Sequence, residues 1–182
     1  MANKLILPSY EIDISNCRHW KYIIIHHSAT TDGKTYDWGA IWHYHKIIKG
    51  WDTIGYNFGI ELLNGNPIFN IGRPLTMTGA HTIGMNGTAI GFLFTGNYDI
   101  EPPSEEILKF SVPFLKAIMY AFQIPLENIR GHRDFARKSC PGLKFSIDHL
   151  KELIEEVKFT PPNYDKVYRE GMEILEKDAR GY

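Results

Sequence analysis

A run of apolar and β-branched residues, Tyr22-Ile23-Ile24-Ile25, leads straight into two adjacent histidines, His26 and His27. The run is too short for a stable helix, so it predicts a buried strand. A strand of this kind sits inside a sheet that other elements cover. Neighbouring side chains on a strand point to opposite faces, so His26 and His27 cannot both reach one point. Ile24 shares a face with His26, and Ile23 and Ile25 share the other with His27. Both faces are apolar upstream, and the alternation leaves open which histidine carries chemistry.

The rest of the chain supplies the covering elements. Residues 35–50 read as a helix, with Thr35 as N-cap, Gly50 just past its end, and a stripe of Trp38, Ile41, Trp42, His45 and Ile48 facing a core. Two β-rich runs flank Asn64-Gly65, a strong hairpin signal. Ala89 to Gly96 is a third clear strand. A helix follows Ser104, with Glu105 and Glu106 at the positive end of its dipole. Pro113 falls inside its pattern and should kink or divide it. Ser146 caps a further amphipathic helix, and Pro161-Pro162 opens a polar helical tail. The expected fold is a mixed α/β domain, a central mixed β-sheet flanked by helices. Residues 1–20 read as an irregular lead-in, 21–158 as the domain itself and 159–182 as the tail.

The bulk properties narrow the function classes. With 182 residues, 43% hydrophobic and 23% charged, the chain is an ordinary globular protein of about one domain. A formal net charge of −1 gives no general attraction to nucleic acid or to an anionic membrane, and neither is expected as a partner. Two cysteines, Cys17 and Cys140, make no disulfide framework. No apolar run approaches a membrane span, and the N-terminal residues lack the long apolar region of a secretory signal. The expectation is a monomer that folds in a cytoplasm.

One loop is chemically unusual. "RGHRDFARKSCPG" carries His132 and Cys140 eight positions apart. Imidazole and thiolate together suit a tetrahedral zinc ion. A strand-end histidine with His132 and Cys140 makes three protein ligands, which leaves a fourth position open, as in catalytic rather than structural sites.

Four stretches, "IIIHHSAT", "GWDTIGYNF", "GAHTIGMNGTAIGFLFTGNY" and "GHRDFARKSCPG", occur in this order over roughly residues 20–155. Together they resemble the zinc-dependent N-acetylmuramoyl-L-alanine amidase family, which includes the T7-type phage lysozyme and the animal peptidoglycan recognition proteins. The resemblance implies a mixed sheet with a zinc site in a surface groove. It implies His26, His132 and Cys140 as metal ligands, and Tyr56 and Lys138 as catalytic residues for transition-state stabilisation and proton handling. It places His81 in the groove, touching substrate or supporting a ligand, and Asn86 against the peptide or sugar. Trp51 and His45 match too, but read as packing at a helix end. Pro74 and Leu75 depart from the family's usual pair there, so no stem-peptide preference carries over.

The implied activity is hydrolysis of the amide between N-acetylmuramic acid and L-alanine of the peptidoglycan stem peptide. Such an enzyme is a bacteriolytic, antimicrobial hydrolase, expected as a phage endolysin or a related lytic protein that waits in the cytoplasm until released to the cell wall. The alternative is a peptidoglycan-binding module that recognises without cleaving.

Overall fold

The computed structural model describes residues 4–30, 37–158 and 160. Its centre is a five-stranded mixed sheet in the order β5-β4-β6-β3-β7. The apolar run and both histidines form β3 (Tyr22–His27). β4 (Phe58–Leu63) and β5 (Asn66–Ile71) are the antiparallel hairpin, closed by Asn64 and Gly65 at φ 52° and 81°. Those two positive angles are what the Asn-Gly pair supplies to a tight turn. β6 (Ala89–Phe94) lies parallel to β3 and β4, and β7 (Ile129–Gly131) lies parallel to β3.

The two faces of the sheet are covered unequally. α2 (Glu105–Phe122) and α3 (Ile147–Glu156) cover the face bearing Ile23, Ile25, Phe92 and Phe94, and bury the main core with Trp20, Phe58 and Phe145. Phe69 and Phe114 stack there at 4.0 Å between ring centroids. The other face meets only α1 (Trp38–His43) and a small cluster of Ile41, Ile54 and Leu93, against which Trp38 and Tyr56 pack.

Several expectations hold. Ser104 accepts from the Ile107 N–H and Ser146 from the His149 N–H, so both caps are as read. α2 passes through Pro113 without dividing. Pro113 and Lys109 are both exposed, so the Lys109 carbonyl that loses its helical partner faces water.

Three features differ from the reading. The lead-in contains a small antiparallel sheet of β1 (Lys4–Leu7) and β2 (Tyr10–Asp13), whose Leu5 and Leu7 enter the main core beside α2. The helix after the strand-end loop is capped by Asp37, which accepts from the Ala40 N–H; Thr35 lies outside the described residues. From Tyr44 to Ile48 that helix widens into a π-helical turn, with Lys49 N–H bonded to Tyr44 O, and it ends at Gly50 with φ 69°. The extra residue per turn breaks the expected stripe: Trp42 and Ile48 are exposed. The tail 161–182 lies outside the described residues. Among the described residues no helix is long and apolar enough to cross a membrane.

Candidate metal centre

The site forms where parallel strands end. β3 and β7 run side by side with Ile25 level with Gly131, so His26 and His132 leave the sheet together at its carboxyl edge. This edge is where open sheets of parallel strands bind ligands. The centroids of the two imidazoles are 4.7 Å apart. After His132 the chain loops back and brings Cys140 alongside. Arg133 N–H donates to Cys140 O at 2.7 Å, and the Arg133 guanidinium holds Gly142 O and Phe145 O. Asp99 accepts from Ser139 Oγ and from Leu143 N–H, both at 2.8 Å, and so brackets Cys140 from two sides.

The ring nitrogens of His26 and His132 and the thiol of Cys140 all lie within 4.8 Å of one another. Donors about 2.0–2.3 Å from one tetrahedral ion stand roughly 3.3–3.6 Å apart. Cys140 Sγ and His26 Nδ1 are 3.6 Å apart, so this pair already has the required separation. Two imidazoles and a thiol fit a borderline-soft cation such as zinc.

The protonation states suit metal capture. Burial, reinforced by the neighbouring imidazoles, holds His26 well below its ordinary value, and burial also lowers His132. Both rings are therefore neutral near pH 7 and offer lone pairs. Burial pushes the Cys140 thiol up to about 11, against the opposing pull of the His27 backbone N–H and the Lys138 charge. A cation must displace the thiol proton to bind.

His27 faces the other way. Its Nδ1 accepts from the Tyr98 N–H at 3.2 Å and its ring stacks on Tyr98. Its side chain braces the loop that carries Asp99.

The three donors line a groove of about 490 Å³ together with Tyr56, Lys138, His81, His45 and Trp51. A second hollow of about 460 Å³ shares Ala29, His45 and Tyr56 with it and extends the groove along α1. The Tyr56 ring lies 5.1 Å from that of His26, and burial raises its pKa above the ordinary 10, so its hydroxyl stays a donor. Lys138 is exposed at the rim.

The remaining candidates separate. His81 is in the groove and also touches His26, 3.0 Å from its Nε2. Asn86 is not on the groove wall; its Oδ1 accepts from the N–H groups of His81 and Thr82 at 2.8 and 2.7 Å and folds that loop. His45 and Trp51, read as packing, stand in the groove, with ring centroids 4.6 Å apart and His45 Nδ1 accepting from Gly55 N–H. The π-helical turn begins beside His45, and nothing in the residue pattern announces such a turn. Asp99 had no sequence signal at all, because its role depends on a loop 40 positions away.

A family model described as N-acetylmuramoyl-L-alanine amidase matches residues 16–143. Peptidoglycan-recognition protein LB of Drosophila melanogaster is 27% identical over 128 residues, 66% of this chain and 54% of that protein. An N-acetylmuramoyl-L-alanine amidase of Mus musculus is 28% identical over 130 residues, 66% of this chain and 24% of that protein. The match thus spans about half or less of these curated relatives. Among solved structures, the endolysin N-acetylmuramoyl-L-alanine amidase LysCS from Clostridium intestinale superposes with a TM-score of 0.66 at 26% identity, covering 78% of this chain and 86% of that one.

Proposed function

Because the chain belongs to the N-acetylmuramoyl-L-alanine amidase family, we propose that it is a zinc-dependent peptidoglycan hydrolase cutting the bond between N-acetylmuramic acid and L-alanine. The observation that carries this reading is the convergence of His26, His132 and Cys140 in a groove that also holds Tyr56 and Lys138. A module that only binds has no chemical need for three metal donors beside a tyrosine and a lysine.

Bound zinc supplies a Lewis acid, which acidifies water toward neutral pH and polarises an amide carbonyl. His26, His132 and Cys140 hold it and leave a fourth position toward the groove. Attack on the amide builds negative charge on the carbonyl oxygen. The Tyr56 hydroxyl, kept protonated by burial, donates toward that charge, and the Lys138 ammonium balances it from the rim. The leaving nitrogen needs a proton, and these are the two donors nearest to hand. The adjoining hollow along α1 gives the rest of an extended glycan or peptide somewhere to lie.

In the cell the protein acts on the wall as an endolysin or related lytic enzyme, released from the cytoplasm. The likeness to a recognition protein favours the second reading, binding without cleavage. Incubating the zinc-loaded protein with purified peptidoglycan, with and without chelator, decides between them. Mass spectrometry should find stem peptides with a free L-alanine amine only when zinc is present. Intact muropeptides from folded, zinc-loaded protein would sink the enzyme reading.

A further inference from the structure

His26 and His81 present one ring nitrogen each to the other. His26 Nε2 and His81 Nδ1 are 3.0 Å apart, with the rings nearly perpendicular at 84°. Two bare nitrogens at that distance repel, so the contact needs one proton between them. The other nitrogen of His81, Nε2, lies 3.1 Å from the backbone carbonyl oxygen of Ala89. A carbonyl oxygen only accepts, so His81 Nε2 carries a proton. A neutral imidazole has just one, and His81 Nδ1 is therefore bare. The shared proton belongs to His26 Nε2. That uses the single proton of a neutral His26 and leaves its Nδ1 bare. Nδ1 is the nitrogen that faces Cys140 Sγ.

Thr82 is consistent with this count. Its hydroxyl is 3.0 Å from His81 Nδ1 and 3.3 Å from His26 Nε2, so it donates to the first and accepts a share of the proton on the second. The opposite tautomer of His26 would set two lone pairs head-on and put a hydrogen into the mouth of the metal site.

The position of His81 is built in. Its ring lies against Gly91 of β6, where an added Cβ would come within 2.6 Å of it. Its backbone N–H is held by Asn86, which gives that loop residue a purpose.

We propose that His81 is a positioning residue: it passes the directionality of the Ala89 carbonyl to His26 and fixes the tautomer whose bare Nδ1 receives the metal. The inference rests on the zinc reading of the site. Ligating histidines commonly donate their second N–H to a carbonyl or carboxylate, and loss of that partner costs about 10–100-fold in metal affinity. Here a neutral histidine is that partner.

The first test needs no substitution. Long-range ¹H–¹⁵N spectra of the zinc-free protein at neutral pH should show His26 and His81 both protonated at Nε2. A proton on His26 Nδ1 overturns the inference. The second test is zinc affinity by chelator competition. His81→Phe should weaken zinc on the order of 10–100-fold. His81→Asn, whose Oδ1 restores an acceptor near the place of Nδ1, should recover most of it. Unchanged affinity in His81→Phe, or equal losses in both variants, overturns the positioning role while leaving the zinc site standing. A wild-type protein that binds no zinc overturns the site reading and this inference with it.

Discussion

Substituting Cys140 separates holding a metal from holding the fold. Serine is close in shape, and the bracket of Asp99 and Arg133 around the loop does not involve the thiol. Cys140→Ser should keep its unfolding transition and lose zinc by more than the roughly 10–100-fold that outer partners cost; chelator competition reads this directly, and full zinc-dependent hydrolysis by the variant would refute the assignment. The two strand-end histidines make a sharper pair. His26→Ala should abolish zinc binding. His27→Ala should keep it but lose about 1–3 kcal/mol of stability in denaturant titrations, because the Tyr98 N–H is left without its acceptor. Tyr56→Phe and Lys138→Ala should bind zinc normally and lose on the order of 10²–10³ in kcat. Strand alternation alone showed that only one histidine of the pair reaches the site. It left the choice open because the isoleucines make both faces equally apolar. The structure supplies the reason that was missing: His27 is spent on a backbone amide of a loop 71 positions away.

The elements most legible in the residues were those whose signals are local. Asn64-Gly65, Ser104 and Ser146 each act within a few positions, and each does what its chemistry predicts. β7 has three residues, and its only reason to be a strand is β3 beside it, so no local pattern marks it. Yet β7 is what delivers His132. α3 offers a test at this scale, because His149 bonds Glu105 across to the start of α2. That bond, helped by Glu152, raises His149 above its ordinary 6.5, and the same bond holds Glu105 below its ordinary 4.5. The His149 contribution is complete below about 6.5 and is lost as pH rises through its raised folded value. The Glu105 contribution is complete above about 4.5 and is lost as pH falls through its lowered value. Denaturant midpoints of the wild type should therefore fall between about pH 5.5 and about pH 8.5. His149→Gln should flatten that fall; an unchanged slope would show that the contact contributes nothing in solution.

The whole molecule divides labour between the faces of its sheet. One face carries nearly all the packing, and the other carries the groove. Stability and chemistry should then respond to different substitutions. Leu5 is fully buried on the packed side, so Leu5→Ala should cost about 2–5 kcal/mol. Zinc affinity measured well below the new melting temperature should not move; a matching loss of affinity would show that the faces are coupled.

The meeting of β3 with β7 also bears on how the chain reaches this state. Cys140 and His26 stand 114 positions apart, and closing a loop of that length costs roughly 4 kcal/mol in chain entropy. No local segment assembles the donors, so a partly collapsed chain presents them too far apart to chelate. Zinc uptake is therefore a clock for folding: in a refolding time course it should lag behind helix formation and start only once the distant edge strand has docked.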